Sequence, residues 1–186
     1  RMDFSFTEEQ EMIRQTARKF ALNELLPHTA EWEKAKKYPP DLVRRIADLG
    51  LVNSAIPLEY GGQGTDRLTG GIIVEELARG DFALSACGSS AIGDAFMLYG
   101  TEEQKNEWLP ALARGEKLVG ISLTESESGS DAAGLKLRAV RDGDDFVLNG
   151  EKSTTSMVDA DAALVLARTD HAAPKARGIS CFIVPM

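Results

Sequence analysis

The spacing of apolar residues changes once along this chain, near residue 115. Before that point apolar positions recur at helical intervals. Thr7 followed by Gln10 spells a capping box, in which each side chain satisfies the other's backbone N–H. Ile13, Ala17 and Phe20 then share one helical face until Pro27 ends the run. Pro39-Pro40-Asp41 predicts the start of a second helix, carrying Leu42, Val43, Ile46 and Leu49 and stopped by Gly50. The apolar stretch from Leu68 to Leu98, broken at Gly80-Asp81 and followed by Gly100, predicts two buried helices. Thr101 and Gln104 repeat the capping box ahead of a helix bearing Trp108, Leu109 and Leu112, with Gly115 as its stop.

After Gly115 the period drops to two. Ile121 and Leu123 alternate with Ser122 and Thr124, and Leu135, Leu137 and Ala139 with Lys136 and Arg138. Asp142-Gly143 is a turn signal, and Phe146 and Leu148 alternate beyond it. Leu164 to Ala167 and Ile179 to Val184 complete about five strands. The pattern predicts an α+β chain, with an all-α domain over 1–115 and a β domain over 116–186. Ile179, Cys181 and Ile183 predict an inward face on a last strand with no strand after it. An uncovered apolar edge is one that folded proteins avoid, so the expectation is a fragment, or a chain whose edge is covered by another.

With 43% hydrophobic residues among 186, the chain can bury a real core. The net charge of -8 argues against nucleic acid or an anionic membrane as partner, since both repel an acidic surface. Cys87 and Cys181 are far apart, form no CxxC pair and sit among small or apolar neighbours, so both are expected to be buried fillers in a reducing compartment. His28 and His171 have no ligand companions nearby, which argues against a zinc site. No apolar run reaches the ~20 residues of a membrane span, and the expected location is cytoplasmic.

Candidate chemistry concentrates in two places. "GISLTESESGSDAAG", from Gly120 to Gly134, crowds Thr124, Ser126, Ser128, Gly129, Ser130 and Asp131 into eight positions at a strand end. Such donors can hydrogen-bond a heteroaromatic edge and cradle phosphate oxygens; they can equally make a turn held by its own side chains. Ser153-Thr154-Thr155-Ser156 is a second hydroxyl cluster, and the two are able to face one ligand. The carboxylates at hand are Glu125, Glu127, Asp131 and Glu151, and the pattern does not separate them. Gly61-Gly62-Gln63-Gly64 has no Lys-Ser/Thr behind it and follows no βαβ unit, so it fits neither dinucleotide fingerprint.

Taken in order, these segments resemble the acyl-CoA dehydrogenase family. "FTEEQEMIRQTARKFALNELLP" resembles the family's opening helix and "IPLEYGGQG" a loop further on. "YGTEEQKNEWLPALARGEKLVGISLTESESGSD" resembles the passage from helical to β domain, and "GDDFVLNGEKSTTS" the hairpin that follows. The resemblance implies FAD held between a helical domain, an antiparallel β-barrel-like domain, incomplete here, and a C-terminal helical domain missing from this sequence. It implies α,β-desaturation of an acyl-CoA thioester with hydride passing to flavin N5, and electrons passing on to an electron-transfer flavoprotein.

Carried over by position, Ile121, Leu123, Thr124, Gly129, Ser130, Thr154 and Ser156 fall at cofactor-binding positions, Ser156 close to flavin N5. Ser130, Ser90 and Phe96 fall at substrate-binding positions. No catalytic residue is assigned, because the family's base lies in the missing domain; this chain alone is expected to be inactive and to form homotetramers only through that domain. Thr154 stands where many members carry a flavin-stacking Trp, and Ser126 where the usual residue is Pro, which is expected to loosen that turn. An acyl-CoA oxidase, a flavin monooxygenase of the same fold, and a non-catalytic dehydrogenase-like subunit are the alternatives.

Overall fold

The computed structural model describes residues 4–157 and 159–186 and resolves two compact units, meeting in sequence between Lys117 and Leu118. The first is helical: α1 (Glu8–Phe20), α2 (Thr29–Ala35), α3 (Leu42–Asp48), α4 (Arg67–Ala78), α5 (Phe82–Ser85), α6 (Ala91–Tyr99) and α7 (Glu102–Ala113). Both capping boxes form. Thr7 Oγ1 accepts from the Gln10 amide at 3.1 Å while Gln10 Oε1 accepts from Thr7 N–H at 3.1 Å. Thr101 and Gln104 do the same at 3.2 and 3.0 Å. Beyond Phe20 the first helix widens into a π segment, Ala21–Leu25, before Pro27 interrupts it.

Two features differ from the expected pattern. The helix α2 follows Pro27 with no buried residue of its own, so no apolar period announces it. It is held instead by Thr29 Oγ1, which lies 3.1 Å from the Leu25 carbonyl and 2.8 Å from that of Gly80, and by Trp32 between the rings of His28 and Tyr38. The stretch from Leu68 to Leu98 contains three helices and a 3-10 turn (Ala86–Gly88) in place of two helices. Asp81, whose carboxylate accepts from the Leu84 amide at 3.0 Å, starts the extra four-residue helix.

A buried charge fastens α1 to α4. Glu76 is 1% exposed, and its carboxylate accepts from Arg18 at 2.7 and 2.8 Å, Arg79 at 2.8 Å and Arg14 at 3.2 Å. Burial alone would push this carboxyl upward; the guanidiniums of Arg18 and Arg14 outweigh it and hold the carboxyl below its ordinary range.

The second unit is a sheet of β1 (Val119–Ser122), β2 (Arg138–Asp142), β3 (Asp145–Asn149), β4 (Ala162–Arg168) and β5 (Ile179–Pro185). It is mixed, which corrects the antiparallel expectation. Strand β4 runs parallel to β1, from Val119↔Ala162 to Ser122↔Val165, and parallel to β2 at Arg138↔Arg168. Among the described strands, the β2–β3 hairpin and the β4–β5 pair are antiparallel. The long excursion between β1 and β4 returns the chain in its original direction, as a parallel pair requires.

Strand β2 begins at Arg138, three residues after Leu135. Leu135 and Leu137 are buried as predicted, but the amides of Lys136 and Leu137 donate to the Glu125 carboxylate rather than to a strand. In β5 it is Phe182, not Cys181, that packs on the small core of Leu137, Ala139 and Ala167. Cys181 is exposed, against the expectation of a buried filler, while Cys87 is buried. The far edge of β5 has no strand partner among the described residues. No helix among them is long and apolar enough to cross a membrane, and no group of three or more His, Cys, Asp or Glu side chains is placed to hold a metal.

Replacing Glu76 by Gln should cost about 3 kcal/mol, because three guanidiniums lose their counter-charge in a buried setting. A carboxyl held low in the folded state stabilises above its unfolded value, so the Glu76 contribution is complete above pH 4.5 and fades as pH falls through the lower native value. Urea unfolding of parent and Glu76→Gln at pH 7 and pH 3.5 should therefore show a large difference at pH 7 that narrows at the acid end.

Candidate functional site

The two hydroxyl clusters lie side by side. Residues 121–125, leaving β1, run antiparallel to residues 152–156, and side chains rather than a regular ladder make most of the closure. Ile121 N–H donates to Ser156 Oγ at 3.0 Å, and Ser156 N–H donates back to the Ile121 carbonyl at 3.3 Å. Ser122 Oγ and Thr155 Oγ1 are 2.9 Å apart. Ser153 N–H donates to the Thr124 carbonyl at 2.8 Å. Gly120 makes the approach possible: a Cβ there would lie 2.2 Å from the Ser156 carbonyl oxygen.

The turn beyond Thr124 is closed. Glu125 and Ser128 exchange backbone hydrogen bonds at 3.0 and 3.1 Å around Ser126 and Glu127, so the serine at 126 does not open it. Ser128 is buried and its hydroxyl donates to the Asp131 carbonyl at 2.6 Å. Gly129 and Ser130 are exposed, with nothing within 4 Å of where a Gly129 side chain would begin. Across the seam, Thr154 and Met157 take left-handed backbone, φ 51° and 54°. A β-branched residue is strained there, and the contacts on either side of Thr154, from Ser153 and Thr155, hold it. The side-chain hydroxyls of Thr124, Ser126, Ser130, Ser153 and Thr154 make no hydrogen bond among the described residues, and those of Ser126, Ser130 and Thr154 belong to exposed residues.

The four carboxylates now separate. Glu125 is buried, and Oε1 accepts from Leu137 N–H at 2.9 Å and Lys152 Nζ at 2.8 Å while Oε2 accepts from Lys136 N–H at 2.6 Å. Burial favours its neutral form, but the Lys152 ammonium and the two amides prevail and hold the carboxyl low. A carboxylate so fully used is a poor proton acceptor and a good anchor. Glu127 is exposed and held low chiefly by its ion pair with Lys136. Asp131 and Glu151 are exposed.

Of the residues singled out from the sequence, Ile121, Leu123, Thr124, Gly129, Ser130, Thr154 and Ser156 all fall in or beside this seam, with both backbone groups of Ile121 engaged by Ser156. Ser90 and Phe96 belong to the helical unit. Ser90 precedes α6, and Phe96 is buried with its ring stacked on Trp108 at 5.7 Å. Sequence reasoning gave no role to Gly120, Ser122 and, most of all, Lys152. It is 27 positions from Glu125, and no local period marks such a partner.

The chain thus consists of a helical unit followed by a mixed sheet whose first strand runs on into hydroxyls without hydrogen-bond partners among the described residues. The family description for the acyl-CoA dehydrogenase N-terminal domain matches residues 7–116 and that for its middle domain residues 120–186, so the chain belongs to the acyl-CoA dehydrogenase family. A 3-(aryl)acrylate reductase of Clostridium sporogenes is 37% identical, over 96% of this chain and 48% of its own length. The crystal structure of an acyl-CoA dehydrogenase from Geobacillus kaustophilus superposes with TM-score 0.90 at 34% identity, covering 99% of this chain and 50% of that one. A glutaryl-CoA dehydrogenase from Mycobacterium smegmatis, in complex with FADH2, gives TM-score 0.87 at 35% identity, over 97% and 46%. This chain thus spans about half the length of the relatives it matches.

Adding one methyl at Gly120 should break the seam without touching a hydroxyl. Gly120→Ala is expected to lower stability by about 2 kcal/mol through the forced separation from Ser156. It should also speed amide exchange at Ile121 and Ser156; unchanged exchange at both would mean that the close approach does not hold the seam shut.

Proposed function

We propose that these residues are the helical and flavin-binding parts of an FAD-dependent acyl-CoA dehydrogenase. The observation that carries the reading is the seam of unpaired hydroxyls, Thr124, Ser130, Ser153 and Thr154, fixed by backbone and buried-charge contacts at the end of β1. Its chemistry suits a flavin: short neutral donors and acceptors for the polar edge of the ring, and an exposed Gly129-Ser130 turn open to phosphate oxygens. Bound there, the flavin would supply the two-electron oxidation that removes a hydride from the β-carbon of an acyl-CoA thioester. Thr124 and Ser156 orient its edge, and Leu123 and Ile121 form the strand it lies against. Thr154 offers a hydroxyl and no stacking surface, so hydrogen bonding at the edge carries more of the grip than aromatic contact does.

Acyl contacts from Ser90 and Phe96, an electron-transfer flavoprotein as electron acceptor, and a catalytic base supplied from outside these residues belong to the same proposal. The base is placed elsewhere because Glu125, the buried carboxylate of the seam, is committed to Lys152 and two amides.

Titrating the 186-residue chain with FAD and following the visible absorbance tests this. Thr124→Val, which deletes one hydroxyl and keeps the shape, is expected to weaken FAD binding by about tenfold. Turnover of an acyl-CoA with an artificial electron acceptor should be undetectable for this chain alone and measurable when the remainder of the protein is present. Absence of any FAD binding, in this chain and in a longer form alike, would refute the reading.

A further inference from the structure

The buried Lys152 does more than neutralise Glu125. Both side chains are more than nine-tenths buried, at 7% and 9% exposure, and the ammonium also donates to the Leu123 carbonyl at 3.0 Å. That second bond has a geometric consequence. The peptide between Leu123 and Thr124 is trans, like every other among the described residues. In a trans peptide the C=O of one residue and the N–H of the next point in opposite directions from one rigid plane. Fixing the Leu123 carbonyl on Lys152 therefore fixes the Thr124 N–H away from it, and this N–H makes no hydrogen bond among the described residues. The next peptide obeys the same rule: the Thr124 carbonyl is held by Ser153 N–H on one side, and the Glu125 N–H goes to the Ser128 carbonyl at 3.0 Å on the other.

We propose that Lys152 and Glu125 are positioning residues that aim the Thr124 amide, alongside its hydroxyl, at the polar edge of a bound isoalloxazine. The inference rests on the flavin reading above and adds the device that orients the donor. Glu125 orients Lys152, and two further amides orient Glu125. Lys152 then sets one peptide plane, and that plane sets the donor. The immediate neighbours reinforce this. Ser153 bonds the Thr124 carbonyl, so the peptide that follows the Leu123–Thr124 plane is held as well, and Ser156 holds the backbone of Ile121 further back on the same segment. A simple packing role would be served by an uncharged pair of similar volume, since a buried ion pair is weak evidence for stability in itself.

The test uses FAD as the probe, on the full-length protein, with Lys152→Met, the doubly neutral Glu125→Gln/Lys152→Met and the charge-conserving Lys152→Arg. Three quantities are read on each: thermal midpoint, FAD affinity by absorbance titration, and hydrogen exchange at the Thr124 amide with and without FAD. In the parent, FAD should slow exchange at Thr124. In the doubly neutral variant, which leaves no unpaired buried charge, the midpoint should stay near the parent's, while FAD affinity falls about tenfold and the FAD-dependent protection of Thr124 disappears. Lys152→Arg should recover most of both. If Lys152→Met fails to fold, the doubly neutral variant still decides the matter. If that variant also fails to fold, Lys152→Arg decides: full affinity with no Thr124 protection overturns the proposal. A folded Lys152→Met or doubly neutral variant with parental affinity and parental Thr124 protection overturns it outright. If the parent itself takes up no FAD, it is the flavin reading that fails, and the two failures are thereby told apart.

Discussion

One buried carboxylate holds the sheet unit together where it matters. Glu125 receives hydrogen bonds from the segment that enters β2 and from the segment that leaves β3, while its own backbone closes the turn after β1. A charge taken out of water is costly unless its lone pairs are filled by well-aligned donors, and here three donors fill them. Removing any one leaves the others facing an incompletely satisfied anion, so the three segments are held to one arrangement. The helical unit uses the same physics at Glu76, where three guanidiniums on two helices converge on a single carboxylate. Each unit thus has a charged node that apolar packing alone would not specify.

What the amino-acid pattern reveals follows the range of the interaction. Both capping boxes are legible because each closes within four residues, and the apolar faces of α1 and α7 are legible because they repeat with the helix. The helix α2 escapes because none of its residues is buried; its support comes from Gly80, fifty-one positions from Thr29. The start of β2 is misplaced for a similar reason: Leu135 and Leu137 alternate as strand residues do, yet the amides of Lys136 and Leu137 are taken by Glu125. Strand direction was unreadable, since an apolar run of the β4 type serves equally in a parallel or an antiparallel pair. In the candidate site, the hydroxyl clusters stand out by composition alone. Their pairing across the seam, and the lysine beneath it, depend on contacts 27 to 35 residues apart.

The seam offers no aromatic surface, and its strained position is instructive. Neither residues 121–131 nor 152–157 contain an aromatic side chain, and Thr154 holds a backbone conformation that a β-branched residue resists. A site of this kind recognises by direction rather than by area, because hydrogen bonds fall off steeply with misalignment whereas stacked rings tolerate sliding. That explains why so much of the local structure, from Gly120 to the closed turn at Ser126-Glu127, goes into fixing angles.

The register of β4 has a bearing on how the molecule comes into being. Its parallel partner β1 precedes it by some forty residues, and parallel pairing needs that whole loop to close before any contact offsets the lost chain entropy. The hairpin β2–β3 needs no such closure and is free to form early. Thr124 and Ser130 thus precede in the chain both the segment that closes the seam and the strand β4 that pairs with β1. The β1–β4 pairing is the long-range closure on which the seam's first strand depends, so a ligand that binds only the finished seam would report on completed folding as well as on chemistry.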